Sequence, residues 1–392
     1  VTLTAAGFRS WGFWLITAAA TANYGVMSGT SPLLNRGVTE LLGFDTALAG
    51  SLVSIAGFVG MATMPGLGYL AGRFGPRRVT LAAAAIAVAG VAIAVVSFTI
   101  PGIAFSRIAY GLGNAGITVA TTAWVSATSP EATRGRALGY YGMSVWIGLA
   151  IGPVLAENSY AWIGNRSTWA LLLAVQAASL LMAAMVREAP TATPAVATTA
   201  DASVSIARAV SVPAAIAVAA WGAQGVITTF VVAHLESAGV PATGVMGGAS
   251  VLLVFAASVL IARVVLGAVT DSLGPARAAR ASLVVVAAGL VGLAWSPTFA
   301  IACLSAVVMG FGYAPLYPSL TMLATTTLDG PRRATAIGWF SAFTSAGMSL
   351  GALAGGFLIG TLGTSITITL CAVVQLAVIP TLARAAKVRA AL

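Results

Sequence analysis

The two halves of this chain repeat one another at an offset of 199 residues. Gly68, Gly75, Pro76 and Arg78 return as Gly267, Gly274, Pro275 and Arg277. Gly111 and Gly113 return as Gly310 and Gly312, and Arg134, Ala137, Gly139, Gly148 and Gly152 as Arg333, Ala336, Gly338, Gly347 and Gly351. A repeat in constant register requires two structurally equivalent units, and between its landmarks both halves are almost wholly apolar. Two matching apolar halves are the pattern of membrane transporters built from internal repeats, with a path at the interface between them.

Of the 392 residues, 59% are hydrophobic and 7% charged, too few charges to cover a water-soluble protein of this size. Apolar runs of about 20 residues recur along the chain, each long enough to cross a bilayer as a helix. Twelve such runs, six per half, fall near 11–34, 47–71, 79–98, 101–126, 137–160, 167–186, 210–235, 244–268, 278–296, 299–326, 334–361 and 364–385. They are continuously apolar and do not alternate with period two, so they read as helices and not as barrel strands. The expected fold is all-α and integral to the membrane: twelve transmembrane helices in two pseudo-symmetric six-helix bundles, residues 1–187 and 210–392. Residues 188–209, broken by Pro190 and Pro194 among Ala, Thr, Asp and Ser, read as a linker.

A net charge of +10 would point to nucleic acid in a soluble chain, but here its placement points to topology. With both termini on one side, Arg36 and Arg166 fall in loops on the other side and Arg107 inside a span. The remaining 16 of the 19 Lys and Arg residues lie on the side of the termini. That excess marks the side as cytoplasmic, so a multi-pass protein of the cell membrane, inner or plasma, is expected, and nucleic acid is not a partner. Cysteines introduced at Ala195 and Gly164 should then react with a membrane-impermeant reagent from opposite sides. Reaction of both from outside intact cells would overturn this topology. Cys303 and Cys371 lie within spans and read as small core residues. Residues 10–22 have the small residues of a leader cleavage site, but removing them would break the repeat, so they read as the retained first helix.

Gly68-Tyr-Leu-Ala-Gly-Arg-Phe-Gly-Pro-Arg-Arg78 lies between the second and third spans, and Gly267-Ala-Val-Thr-Asp-Ser-Leu-Gly-Pro-Ala-Arg277 between the eighth and ninth. Gly75 and Gly274 suit a tight turn between helices. A basic topogenic loop accounts for the arginines but not for the glycine spacing. The two segments resemble the Gly-x-x-x-Asp-Arg-x-Gly-Arg-Arg loop of the major facilitator superfamily, and the resemblance covers almost the whole chain. It implies a conformational latch for the outward-facing state, made here of Gly68, Arg73, Gly75, Arg77, Arg78, Asp271, Gly274 and Arg277. The acid of the pattern is replaced by Gly72 in the first half and survives as Asp271 in the second.

Arg107 lies inside the fourth span, where a charge is costly and a functional candidate by default. Its equivalent is Ala306, so the fold does not require a cation there. The resemblance implies a role in proton coupling; snorkelling to the outer boundary is the alternative. In the fifth span, Gly148-Leu-Ala-Ile-Gly152-Pro153 resembles the Gly-x-x-x-Gly-Pro pattern of the family's antiport exporters. Physically, the glycines permit close helix contact and Pro153 frees a carbonyl. Glu157 follows, with Gly356 as its equivalent. Arg107 lies 25 residues before Ala132, in the loop between these spans, and Glu157 lies 25 after it. The two charges are therefore expected at one depth, as an ion pair that exchanges a proton. A solvated Glu157 at the outer interface is the alternative.

By the same resemblance, the first, fourth, seventh and tenth spans line a central cavity. Asn23, Tyr24, Asn114, Gln224, Tyr313 and Tyr317 are then candidates for substrate contact, with Met27, Trp146 and Phe230 as apolar walls. Ordinary interhelical hydrogen bonding is an equal alternative for each. His234 and Glu236, at the outer end of the seventh span, read as solvated interfacial residues. There is no Walker loop or nucleophile elbow, and the single histidine cannot build a multi-histidine metal site. The expected protein is a monomeric transporter and not an enzyme. It carries no cofactor and exports a small, partly apolar organic molecule in exchange for protons. Uptake of a metabolite, or a receptor or scaffold role in the same fold, are the alternatives.

Overall fold

The structure, a computed structural model, describes residues 10–129, 134–186, 205–266, 273–325, 328 and 330–382. The apolar runs become helices because a helix satisfies its backbone N–H and C=O groups internally, where the bilayer offers no water. In order they are α1 (Trp11–Arg36), a π-helical turn (Gly37–Leu41), α2 (Thr46–Phe74), α3 (Pro76–Val96), α4 (Ile100–Thr128) and α5 (Arg134–Met185). Then follow α6 (Ile206–Ser237), α7 (Gly248–Val265), α8 (Pro275–Ala294), α9 (Phe299–Thr325), α10 (Gly330–Leu362) and α11 (Thr364–Ala377). No strand occurs among the described residues. Nine helices among them are long and apolar enough to cross a membrane. The helices α1 and α4 have the length but are more polar, and they carry Asn23, Tyr24, Arg107 and Asn114.

The longest helix, α5, runs for 52 residues and turns at Gly164, where φ is +74°. The same turn recurs at Gly363, φ +80°, between α10 and α11. The two arms of α5 thus correspond to the fifth and sixth apolar runs of the sequence. Gly75 and Gly274, with φ of +89° and +76°, turn the chain just before Pro76 and Pro275 open α3 and α8. Glycine adopts such left-handed conformations without a Cβ clash, and proline suits the first helical turn.

The chain divides into two compact units, residues 1–37 with 55–194, and residues 38–54 with 195–392. Most of the linker expected at 188–209 lies outside the described residues. In the first unit α5 packs chiefly along α1, α3 packs on α4 and α5, and α4 meets α5 only marginally. In the second, α6 pairs with α10 and α8 with α9, while α7 lies on α9 and α11 on α8. The second unit also takes in the start of α2, where Thr46 Oγ1 donates to the Gly356 carbonyl at 3.0 Å.

The α1–α5 contact is a seam of small residues, as suits helices that associate in lipid. Ser28 Oγ donates to the Gly148 carbonyl at 2.9 Å. A Cβ on Gly29 would lie 2.7 Å from the Gly152 oxygen. At the end where α1 begins, Phe13, Ile16, Trp124, Tyr141 and Val186 close the first unit's core. Arg77 completes that end: its Nε donates to the Val186 carbonyl at 2.7 Å and its Nη2 to Ala184 at 3.1 Å. A cation at a helix C-terminus satisfies open carbonyls and complements the helix dipole.

Candidate functional site

In the first unit, α1 and α4 gather three of the candidate residues, Asn23, Met27 and Asn114, into one network. Asn23 Nδ2 donates to Asn114 Oδ1 at 2.7 Å, and Asn114 Nδ2 reaches Met27 Sδ at 3.7 Å. Tyr110 Oη donates to the Asn23 carbonyl at 2.9 Å. Farther toward the C-terminal end of α4, Tyr24 Oη shares a hydrogen bond with Thr118 Oγ1 at 3.2 Å, and Thr121 shares one with Tyr141. A buried amide left alone would be expensive in this setting. Here one amide donates to the other, and the Met27 sulfur accepts an N–H of Asn114, so the pair ties α1 to α4.

Arg107 belongs to the same interface and is 3% exposed, so it does not snorkel. Its Nη1 donates to Thr30 Oγ1 at 3.1 Å, and its guanidinium carbon lies 5.3 Å from the centroid of the Tyr110 ring. Its Nε has no hydrogen-bond partner among the described residues. No carboxylate among the described residues forms an ion pair with it.

The expected Arg107–Glu157 pair does not form. Glu157 is 2% exposed, not solvated, and accepts from Arg36 Nε at 3.1 Å. Arg36 also stands over the Tyr160 ring, 5.5 Å from its centroid. Equal depth does not decide the pairing, because α5 lies along α1 and barely meets α4, so Glu157 finds its cation on α1. Arg36 is not an outer-loop residue but the last residue of α1. Gly148, Gly152 and Pro153 all lie on the α5 stretch that forms the seam with α1, Pro153 within the helix.

In the second unit an aromatic cluster occupies the positions equivalent to Asn114 and Thr118 and their surroundings. Tyr313 Oη donates to the Ala220 carbonyl at 2.6 Å. Trp221 meets Tyr313 and Tyr317 edge-on, with centroids 6.1 and 5.7 Å apart. Phe255 meets Tyr313 at 5.5 Å and Phe340 meets Tyr317 at 5.5 Å. The repeat offset maps these rings onto Asn114, Thr118, Tyr141, Ala22 and Ala56 of the first half. Sequence reasoning singled out Tyr313 and Tyr317 but missed Trp221, Phe255 and Phe340. Reading the repeat for its differences, not only its identities, would have found Trp221 and Phe255; Phe340, opposite Tyr141, carries no such mark.

The other candidates are placed as follows. Gln224, three residues beyond Trp221 on α6, is buried, and its Oε1 accepts no hydrogen bond among the described residues. Phe230 is buried against Gly355 of α10, and Trp146 is buried in the first unit. His234 is not solvated: α6 continues to Ser237, and the ring turns inward, Nε2 lying 3.3 Å from the Leu293 carbonyl. Glu236 is exposed. Of the latch residues, Gly75 and Gly274 make turns and Arg77 caps α5. Arg73 stands over Phe74, and Arg78 and Arg277 are exposed. Gly68 lies in α2, and Asp271 lies outside the described residues.

The Major Facilitator Superfamily profile matches residues 13–303 and 249–390. An uncharacterized MFS-type transporter of Burkholderia mallei (strain SAVP1) is 26% identical over 352 residues, covering 87% of this chain and 83% of that protein. Among solved structures, the nucleoside transporter NupG matches with a TM-score of 0.75 at 14% identity, over 96% of this chain and 100% of its own. A POT family transporter in complex with a thioalcohol conjugated peptide matches with a TM-score of 0.76 at 15% identity, over 94% and 95%. At such identity the structures speak for the fold alone. The profile match spans nearly the whole chain, and the internal repeat and helical units agree with it: the chain belongs to the major facilitator superfamily.

Proposed function

We propose that this chain is a proton-coupled exporter of a small, partly apolar organic molecule, working by alternating access of two helical units. The observation that carries the reading is the contrast between the repeats. One unit carries amides, hydroxyls and a cation on α1 and α4; the other carries an aromatic cluster on α6 and α9. A polar group of a small solute is matched by the first kind of side chain, and an aromatic or aliphatic group by the second. Asn23, Tyr24, Met27 and Asn114 are assigned to its polar end. Tyr313 and Tyr317 are assigned to its apolar end, with Gln224 as a further donor or acceptor. Arg107 and Glu157 are assigned to proton coupling. The Gly-Pro segment at 148–153 supports antiport through its likeness to the family's exporters.

Everted membrane vesicles from overexpressing cells test this, with the interior made acid and then collapsed. The panel contains fluorescent organic cations, aromatic carboxylates, neutral amphiphiles, nucleosides and short peptides. The last two are the kinds of solute named for structures of like fold. An exporter loads such vesicles only while the gradient stands; an uptake permease empties them; a receptor or scaffold does neither.

The latch carries its own expectation. Asp271→Asn should weaken the outward-facing state and lower transport, and Gly72→Asp should be tolerated or activating. Unchanged transport in Asp271→Asn, with unchanged reactivity of reporter cysteines on the outer side, would contradict it.

A further inference from the structure

We infer that Arg36 and Glu157 form the proton-exchange site of this chain, with Glu157 carrying the proton and Arg36, not Arg107, holding its charged form. This deepens the antiport reading and rests on it. Glu157 follows the Gly152-Pro153 step on α5 and is 2% exposed. A carboxylate at that burial needs a cation and further hydrogen bonds to stay ionised. Arg36 supplies the cation through Nε at 3.1 Å from Oε2. Tyr160, one turn farther along α5, lies under the guanidinium at 5.5 Å, where a ring face attracts a cation and keeps it beside the carboxylate.

The repeat provides an internal control. Arg36, Glu157 and Tyr160 correspond to Leu235, Gly356 and Ile359. All three members are absent from the second unit, yet α6 still packs on α10 as α1 packs on α5. The helix pair therefore forms without the ion pair. Buried ion pairs add little to stability in general, and ionisable groups inside membrane spans mark function.

The nearest other acid along the chain is Glu40, in the π-helical turn that continues α1, and it is exposed where Glu157 is buried. The helices packed with α5 are α1, α3 and α4. Their ionisable side chains are Tyr24 and Arg36 on α1, Arg77 and Arg78 at the start of α3, and Arg107 and Tyr110 on α4. None is a carboxylate. Arg107 is directed to Thr30, Tyr110 to Asn23, and Arg77 to the α5 terminus. Arg36, at 13% exposure, is the more open member of the pair, so water reaches the site from its side. A proton taken from that water neutralises the carboxylate and frees Arg36; its release to water restores the pair. Each exchange thus changes what holds the last turn of α1 to α5.

Infrared difference spectroscopy on the purified full chain in proteoliposomes, stepped between about pH 5 and about pH 9, tests this without a substrate. The wild type should show a carboxylic-acid C=O band at the acid end that Glu157→Gln removes and Glu236→Gln keeps. Arg36→Lys should leave its midpoint near that of the wild type. Arg36→Gln should move it by roughly tenfold or more in proton concentration, since a nearby opposite charge shifts a carboxyl group by about one to three units. The double variant Arg36→Leu/Glu157→Gly copies the second unit and should fold while lacking the band. This guards against a single variant that merely misfolds. A band that survives Glu157→Gln, or a midpoint that Arg107→Gln moves more than Arg36→Gln does, overturns the inference. The vesicle experiment is separate. Absence of gradient-driven loading by the wild type removes the antiport reading, while an Arg36-dependent Glu157 band still stands as a proton site.

Discussion

Gly152→Leu should leave almost no folded protein in the membrane, whereas Gly139→Ala, earlier on the same helix, should fold as well as the wild type or better. A Cβ at position 152 would run into the Gly25 carbonyl oxygen and Ser28 Oγ, and would lie 2.9 Å from the Gly29 backbone nitrogen. Two of these obstacles are α1 backbone, which cannot rotate aside as a side chain can. Overpacking generally costs about 1–3 kcal/mol when neighbours can adjust. Here α1 and α5 would have to move apart along the most extensive helix pair of the first unit. Against a total stability of about 5–15 kcal/mol, that loss is large. At Gly139 a Cβ meets nothing within 4 Å. Alanine there removes glycine's excess backbone freedom and gains roughly 0.5–1 kcal/mol. Size-exclusion profiles of fluorescently tagged variants after heating check both. The expected results are a lost peak for Gly152→Leu, a lowered melting temperature for Gly152→Ala, and an unchanged or raised one for Gly139→Ala. A Gly152→Leu protein that melts with the wild type would refute the packed seam. The seam matters beyond stability, because it also sets the distance between Arg36 and Glu157.

Those two charges also mark the limit of what the sequence made legible. Helix positions follow from apolar length alone, and turns follow from glycines that recur at the same offset, such as Gly75 with Gly274. Gly164 with Gly363 extends that register to the last helix of each unit. Depth, too, can be counted along a helical hairpin. Azimuth cannot, and azimuth decided the partner of Glu157. The short loop between α4 and α5 made Arg107 the obvious neighbour, but helices adjacent in sequence need not share their main interface. The main partner of α5 is α1, from the far end of the unit, and no count of residues from a loop shows it. The aromatic cluster was hidden for a different reason. Trp221 and Phe255 look like ordinary apolar residues until each is set beside its equivalent, Ala22 or Ala56; Phe340, opposite Tyr141, gives no such signal. The polarity of α1 and α4 is the same signal seen from the other half. A helix that gives up apolar character inside a bilayer does so for a reason its repeat partner does not share.

Arg107→Met should lower gradient-driven vesicle loading by at least about tenfold, roughly 1.4 kcal/mol of barrier, while leaving the melting temperature unchanged or higher. The two halves of that expectation come from different parts of the structure. Arg107 is 3% exposed, and among the described residues its Nε finds no acceptor and its polar contacts are a hydroxyl and a ring face. A buried cation held so sparsely does not recover its desolvation energy. Replacing buried charge with an apolar side chain of similar volume is often neutral or stabilising by about 1–4 kcal/mol. Thr30 is not orphaned by the change, since its hydroxyl already donates to the Met27 carbonyl at 2.9 Å. The second unit shows the end state: Ala306 stands at the equivalent position, and Thr229, the counterpart of Thr30, donates to its own helix at Gly225, 2.8 Å away. Most large buried side chains behave in the opposite way and destabilise when replaced. The sign of the melting shift therefore separates the two roles. Stability held or raised with transport lost identifies a group retained for what it does. Stability and transport falling together would make Arg107 a strut of the α1–α4 interface, and transport unchanged would remove it from coupling and leave Arg36 and Glu157 to carry that role alone.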